Sequence, residues 1–187
     1  GAGAALAGVV ERVGAGVTEF APGDRVFGGG TGTFAEFAIA KPKALAPMPA
    51  GLSFEQAAAS PVSGLTALQA LTKAGPVSGK SVLIIGAGSG VGSFAIQLAK
   101  AQGAIVTAVV SPGKIDFVKR LGADHVIDYA AGDLTGRSQR YEVVLDLAGN
   151  TPLRKLRKIL DPQGALVIVG GESKGDWTGG FGRSLRA

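Results

Sequence analysis

A glycine-rich run occupies residues 86–92, and its residue types could bind a phosphate group. It follows the apolar segment 81–85 and precedes a segment with helical apolar spacing. Small residues here permit a tight turn, close approach of the backbone to a pyrophosphate, and close packing of the helix on the strand. The helix amides and dipole then face the anion. The predicted phosphate-binding residues are Gly86, Ser89, Gly90 and Gly92, and the alternative is a glycine-rich turn without a ligand.

The end of the next predicted strand distinguishes NAD from NADP. An NAD site carries Asp or Glu there, about 20 residues beyond the glycine run, to hold the ribose hydroxyls. This chain has Val109-Val110-Ser111 instead, and Lys114 follows. A hydroxyl and a cation suit a 2′-phosphate, which predicts NADP(H) as the cofactor. The alternative is that Ser111 caps the following helix and Lys114 lies in its first turn, where the helix dipole disfavours a cation.

The remaining reactive side chains predict neither a metal site nor a catalytic residue. The chain has no cysteine, so disulfides, thiolate zinc sites and thiol nucleophiles are excluded, and its one histidine excludes a three-histidine site. His125 begins a predicted strand and is interpreted as a surface residue. Asp146 is interpreted as the anchor of a turn or loop, and no general acid is assigned.

Alternating strands and helices from residue 80 onward would position these groups. Strands are predicted at 81–85, 104–110, 125–128, 142–147 and 165–169. Helices are predicted at 90–102, 114–121 and 153–160, and a turn at 161–164. Wholly apolar strands that alternate with helices are typical of a parallel, doubly wound sheet buried on both faces. The predicted fold class is therefore α/β, with about five strands present.

The first part of the chain has a different pattern, with short strands and turns. Strands are predicted at 7–13, 25–27 and 34–40. The glycines of 28–32 predict a flexible loop, and the prolines of 42–49 an extended linker. We interpret residues 1–58 as one partial domain with its linker and 59–187 as the second domain. At the junction, Ser53 and Gln56 form a capping box that opens a short helix, Pro61 interrupts it, and a second helix follows over 64–73.

Composition narrows the choice of partners and location. Hydrophobic residues make up 46% and charged residues 18%, which is ordinary for a globular protein. The net charge is +5, with a basic cluster at Arg154, Lys155, Arg157 and Lys158 that we interpret as the solvated face of an amphipathic helix. Aromatic residues are only 6% and scattered, which argues against nucleic acid. No apolar run is long enough to span a bilayer, so we predict no membrane partner and a cytoplasmic location.

Several motifs in order resemble the medium-chain dehydrogenase/reductase superfamily, and within it the zinc-independent quinone oxidoreductase-like branch. They are Gly8-Val9-Val10-Glu11, Pro22-Gly23-Asp24-Arg25-Val26, Phe34-Ala35-Glu36-Phe37, the junction from Ser60 to Ala67, and Leu121-Gly122-Ala123-Asp124. The resemblance implies part of a GroES-like β-barrel followed by a Rossmann domain. It also implies further sequence at both ends, so that the chain would be a C-terminally truncated piece of a longer, homodimeric reductase.

The resemblance also implies roles for individual residues. Thr66 matches the position near the nicotinamide, and Val91 the position that packs on its ring. Ser111, Lys114 and Tyr129 match the trio that holds the 2′-phosphate and adenine side, although an aromatic residue that ends a strand is often only packing. Gly149 and Gly170 match loop positions that line the cofactor cleft. Val62 stands where zinc-dependent relatives place a cysteine, which implies that no zinc is bound.

The resulting functional hypothesis is hydride transfer from NADPH to a small electrophilic acceptor, a quinone or another α,β-unsaturated carbonyl, without zinc. Two alternatives remain open. One is a dinucleotide-binding sensor or partner-binding module without turnover. The other is the enoyl-reductase domain of a larger synthase.

Overall fold

The computed structural model describes residues 3–132, 134 and 139–169 of the 187-residue chain. The chain divides into two compact units, residues 1–65 and 66–187. The division falls inside a helix, somewhat later than the predicted boundary at residue 58, and the domain assignment remains an interpretation. In the described part of the chain, no helix combines the length and apolar character that crossing a bilayer requires.

The first unit contains an antiparallel sheet of three short strands in its described residues. These are β1 (Ala5–Val9), β2 (Arg25–Gly29) and β3 (Leu45–Pro47), in the order β1-β2-β3. β1 therefore covers residues 5–9 instead of the predicted 7–13. It ends at Val9 because Val9 pairs with Arg25, the first residue of β2, and the Pro22-Gly23-Asp24 turn comes just before Arg25. The prediction of a flexible loop over 28–32 is wrong for Gly28 and Gly29, which are paired residues of β2.

The strand predicted over 34–40 is not formed. Only one isolated bridge, from Thr31 to Ile39, pairs this segment with another part of the chain. Phe34 is 85% exposed, and Phe37 and Ile39 are exposed as well. Alternating apolar residues stabilise a strand only when a neighbouring strand pairs with it and one face is covered. Neither condition holds for this segment in the described structure.

One continuous helix, α1 (Phe54–Ala74), replaces the two predicted helices. The capping box is confirmed, since the Ser53 amide donates to Gln56 Oε1 at 3.0 Å and the Gln56 amide to Ser53 Oγ at 3.3 Å. Pro61 has no amide to donate to the Ala57 carbonyl. The Ser60 hydroxyl donates to that carbonyl at 2.8 Å instead, which satisfies the acceptor and lets the helix continue.

The second unit contains a parallel sheet, and the predicted fold class is confirmed. Its five strands in the described residues are β4 (Ser81–Ile85), β5 (Ile105–Val110), β6 (His125–Asp128), β7 (Tyr141–Asp146) and β8 (Leu160–Ile168). The spatial order β6-β5-β4-β7-β8 corresponds to strands 3-2-1-4-5 of the Rossmann order. The central strand β4 therefore lies at the point where the connections change direction, and ligands bind at the carboxyl edge beside such a point.

Helices cover both faces of this sheet. They are α2 (Gly90–Ala101), α3 (Ile115–Arg120) and α4 (Leu153–Ile159). α2 and α3 pack on the face that carries Val82 and Ile84, and α4 packs on the face that carries Leu83 and Ile85. Successive residues of a strand point to opposite faces, which explains why the buried residues of β4, 82–85, are all apolar.

The turn predicted over 161–164 lies within β8. Tyr141 pairs with Leu160, but Val143 pairs with Ala165, so the extra residues of β8 form a bulge between these two pairs. Asp161 Oδ1 accepts a hydrogen bond from the Gln163 amide at 3.0 Å, as in an Asx turn. The hydrogen bond agrees with the turn-forming residues of this prediction, but the placement of 161–164 outside the strand is wrong, because β8 includes them.

Candidate cofactor site

A cavity of about 820 Å³ lies at the carboxyl edge of the second unit's sheet. It is bordered by the residues that follow β4, β5, β6 and β7, because the carboxyl ends of parallel strands meet at one edge. Its walls are largely apolar. The polar and glycine residues that line it are Gly86, Gly88, Ser89, Ser111, Lys114, Tyr129, Gly132, Asn150, Thr151 and Lys155.

The turn between β4 and α2 is sterically restricted to glycine at two positions, Gly86 and Gly92, and a third glycine, Gly88, lies against a flexible side chain. Gly86 has a φ of +80°, and a Cβ there would lie 3.1 Å from the Ala148 amide nitrogen. A Cβ at Gly92 would lie 2.5 Å from the Ala87 carbonyl oxygen, which is backbone and cannot move aside. A Cβ at Gly88 would press on the Lys114 side chain at 3.2 Å. The turn therefore passes close to the β7 loop and to Lys114.

Ser89 is the N-cap of α2. Its hydroxyl accepts a hydrogen bond from the Gly92 amide at 3.0 Å, which satisfies one of the helix's unpaired donors. Gly86, Gly88 and Ser89 line the cavity, whereas Gly90, Val91 and Gly92 form the first turn of α2 and are not among its lining residues. The Ser89 hydroxyl thus fixes the start of the helix beside the cavity.

Ser111 and Lys114 lie at the end of β5 and both line the cavity. Ser111 occupies the N-cap position of the 3₁₀ turn Pro112–Lys114, but its side chain makes no capping hydrogen bond, so the capping alternative is wrong for the hydroxyl. Lys114 precedes α3 rather than lying in its first turn. Its Nζ donates to the Gly88 carbonyl oxygen at 3.1 Å and lies 5.5 Å from the centre of the Phe117 ring.

Tyr129 follows β6 and borders the same cavity. Its side chain is 63% exposed, which disagrees with the alternative that it only fills the core. The preceding Asp128 accepts a hydrogen bond from the Ala130 amide at 2.8 Å and thereby holds the short 3₁₀ turn Tyr129–Ala131.

The loop after β7 is held by a buried carboxylate. Asp146 is fully buried, and its Oδ1 accepts a hydrogen bond from the Gly149 amide at 3.0 Å. Gly149 is buried with a φ of +69°, a conformation that L side chains rarely adopt. The interpretation of Asp146 as a loop anchor is confirmed. The adjacent Leu147 and Ala148 form part of the cavity wall.

Lys155 is a cavity residue that sequence reasoning missed. The interpretation of the basic cluster as a solvated face holds for Arg154, Arg157 and Lys158, which are exposed. Lys155 is half-buried and lines the cavity. It precedes the buried Ile159 by four residues, and residues at that spacing share one side of a helix. That spacing was the signal in the sequence.

The structure does not bring every predicted residue to the cavity. Thr66 is half-buried in α1 and is not among the lining residues. Gly149 supports the β7 loop without lining the cavity, and Gly170 lies outside the described residues. The roles assigned to these residues and to Val91 remain predictions. His125 is exposed, in agreement with its interpretation as a surface residue.

An ion pair outside the cavity supports β5, the strand that Ser111 follows. Lys100 at the end of α2 contacts Asp124 at 2.8 Å, and Asp124 Oδ2 also accepts from the Val106 amide of β5 at 2.7 Å. Burial acts to raise the pKa of Asp124, but the hydrogen bonds from Lys100 and Val106 outweigh it and leave the pKa below its ordinary value. The ionised form thus ties α2 to β5.

Comparison with known proteins assigns both units to one family. An alcohol dehydrogenase GroES-like domain model matches residues 2–50, and a zinc-binding dehydrogenase model matches residues 90–181. The quinone oxidoreductase of Coxiella burnetii superposes with a TM-score of 0.84 at 36% identity, covering 89% of this chain and 54% of that chain. The chain belongs to the medium-chain dehydrogenase/reductase superfamily.

Two further proteins, an enoyl reductase and a protein solved with NADPH, are also similar to this chain. A trans-enoyl reductase of Aspergillus flavipes is 42% identical over 154 residues, which is 72% of this chain and 45% of the reductase. A mycobacterial protein complexed with NADPH superposes with a TM-score of 0.81 at 32% identity, over 89% of this chain and 55% of that chain. The chain spans about half the length of these proteins.

Within the superfamily, the chain lies in the quinone oxidoreductase-like branch, and its second unit is an NAD(P)-binding Rossmann fold. One matching model is named for zinc binding. The chain has no cysteine, and its described residues contain no group of three or more His, Asp or Glu side chains that could hold a metal.

Proposed function

We propose that this chain is the NADP(H)-binding part of a zinc-independent reductase that transfers hydride to a quinone or another α,β-unsaturated carbonyl. The observation that carries the proposal is the pairing of Ser111 and Lys114 at the end of β5, beside the glycine turn and in one cavity. An acidic side chain would be expected there in an NAD site. A hydroxyl and an ammonium group favour a 2′-phosphate.

The cavity fits a dinucleotide in shape and in chemistry. Gly86 and Gly88 present backbone without side chains, and α2 begins beside them with its positive dipole end, which favours the pyrophosphate. Apolar side chains such as Val110, Leu134 and Leu147 offer walls for an adenine. These features support the proposed roles of Gly86, Ser89, Ser111, Lys114 and Tyr129.

The bound nicotinamide would supply the hydride, and the protein residues would bind and orient it. A hydrogen bond between Ser89 and Gly92 holds the start of α2, and one between Asp146 and Gly149 holds the β7 loop, so the backbone at two borders of the cavity is fixed by local contacts. No residue is assigned as a general acid. Without zinc to polarise an alcohol, a conjugated acceptor is the better substrate class.

A second candidate is the enoyl-reductase domain of a larger synthase. Its acceptor class is favoured by the similarity to the trans-enoyl reductase of Aspergillus flavipes, whose identity of 42% exceeds the 36% of the Coxiella quinone oxidoreductase. Both candidates use the same cofactor site and differ in the acceptor. The cytoplasmic location, the homodimeric parent and the absence of nucleic-acid and membrane partners are part of the first proposal.

The test is a parallel calorimetric titration of the chain with NADPH and NADH, followed by turnover assays. Affinity for NADPH well above that for NADH is the expected result, and equal affinities or none would overturn the proposed cofactor. Oxidation of NADPH by a quinone supports the first candidate, and oxidation by an enoyl thioester alone supports the second. Binding without turnover of either acceptor would favour a sensor or partner-binding module.

A further inference from the structure

The cavity contains two lysines that approach it from different strands. Lys114 follows β5 and Lys155 lies on α4, which follows β7. Among the described lining residues, these two are the charged side chains, and both are positive. β5 and β7 flank β4 on either side, so they are on the order of 10 Å apart. Because both lysines line one cavity, a single ligand bound there could meet both ammonium groups.

Lys155 and Tyr129 both border the cavity. Leu134, which follows β6 and lines the cavity, belongs to the same apolar cluster as Leu153 and Leu156 of α4. α4 therefore shares an apolar cluster with Leu134, and Lys155 of this helix lines the cavity that Tyr129 also lines.

The charge of the proposed ligand exceeds what one lysine neutralises. A phosphate monoester carries about −1.5 to −2 charges at neutral pH. Lys114 is already held against the glycine turn by its hydrogen bond to the Gly88 carbonyl. The pyrophosphate has α2 to face it, whereas the additional phosphate at the end of β5 has no helix dipole of comparable length. A second cation beside this group would add to its neutralisation.

We propose that Lys155 binds the 2′-phosphate of NADP(H) together with Lys114 and so determines the preference for NADP(H) over NAD(H). This inference rests on the proposed function and adds a residue to its specificity. The three basic neighbours of Lys155 on α4 are exposed and do not line the cavity; they are Arg154, Arg157 and Lys158. The assignment therefore concerns one position and not the basic character of the helix.

The test compares Lys155→Met with Lys158→Met, which removes the same charge from the exposed side of the same helix. Calorimetric titrations with NADPH and NADH are run on the chain and on both variants. Lys155→Met is expected to weaken NADPH binding about 10-fold or more while changing NADH binding by less than about 2-fold. Lys158→Met is expected to leave both affinities unchanged, and Lys155→Arg to retain most of the NADPH affinity.

Adenosine 2′,5′-bisphosphate and ADP serve as smaller probes that locate the contact. Lys155→Met should weaken only the bisphosphate. An equal loss for both nucleotides, or for NADPH and NADH, would place Lys155 at the pyrophosphate or in the fold and would overturn the inference. Unchanged NADPH affinity would also overturn it, and the proposed function would stand if Ser111→Asp still altered the preference. Failure of the unmodified chain to bind NADPH would refute both.

Discussion

The glycine-rich segments 28–32 and 86–92 differ in what lies next to the backbone where the glycines lack a side chain. In the first segment, a Cβ at Gly28 would overlap the Ala44 carbonyl, and one at Gly30 would lie 2.5 Å from a Leu6 methyl group. The missing side chains make room for neighbouring backbone and side chains of the first unit. Glycine here permits close packing within the protein.

The second segment combines the same close packing with an open face. Gly92 permits contact between α2 and the Ala87 backbone, and Gly86 permits contact with Ala148. However, Gly86, Gly88 and Ser89 also border the cavity, and a capped helix begins there. A run of glycines by itself indicates only that other parts of the protein come close to the backbone. A buried strand before the run and a capped helix after it indicate in addition a ligand site.

The largest effect is expected from Gly92→Val, which tests the packing role of the second segment. The new side chain would collide with the Ala87 backbone and displace α2 from the sheet. We expect NADPH affinity to fall by about 100-fold or more in calorimetry. Gly14→Ala is the matched control, since a Cβ at Gly14 meets nothing within 4 Å. Unchanged NADPH affinity in a folded variant would show that residues 86–92 are not the turn that binds the dinucleotide.

Ser111→Asp tests whether the cavity that the second segment borders recognises a 2′-phosphate. The carboxylate would repel that phosphate and could accept hydrogen bonds from ribose hydroxyls. We expect the ratio of NADPH to NADH affinity to fall about 10- to 100-fold, measured by titration with both. Ser111→Ala, which adds no charge, should change the ratio less. A constant ratio in Ser111→Asp would contradict the assignment of the β5 end.

Gly28→Ala tests whether the first segment is purely structural. Gly28 has a φ of +149° and faces the Ala44 carbonyl, so an added methyl group must shift the paired strands. We expect a loss of about 2 kcal/mol of stability in denaturant unfolding, with little change in NADPH affinity. The control is Gly8→Ala in β1, where a Cβ meets nothing within 4 Å. A large loss of NADPH affinity would show that the first segment also contributes to cofactor binding.

The smallest effect is expected from Ser89→Ala, which removes the cap that distinguishes the second segment. Loss of the hydrogen bond to the Gly92 amide should cost about 1 kcal/mol of stability and weaken NADPH binding several-fold. Thermal unfolding and calorimetry measure the two effects, and Ser89→Thr, which retains the hydroxyl, should restore most of both. A variant that binds and unfolds like the unmodified chain would show that the cap is dispensable.

Local sequence predicted the second unit well because its strands are buried on both faces and end at strong signals. β4 and β6 occur at the predicted residues, and β5 and β7 within one residue at either end. The glycine turn, Ser111, Lys114 and Tyr129 could be placed for the same reason, since each follows such a strand. In the first unit the alternation at 34–40 predicted a strand that has no partner to pair with.

Other errors arose where a distant or neighbouring group compensates for a local signal. Pro61 normally ends a helix, but the Ser60 hydroxyl satisfies the carbonyl that Pro61 leaves without a donor. The turn signal at 161–164 is real, but pairing with β7 resumes beyond it. Lys155 looked like one of four solvated basic residues, and only the position of α4 beside the sheet places it in the cavity.

The sequence by itself determined the α/β class, the parallel sheet, the phosphate-type turn and the absence of thiol chemistry, because periodicity, glycine spacing and residue type are local properties of the chain. Tertiary structure decided which side chains share the cavity. Lys114 meets the glycine turn and Lys155 enters from α4 because parallel strands bring residues distant in sequence to one edge. That juxtaposition depends on strand order, which no local pattern encodes.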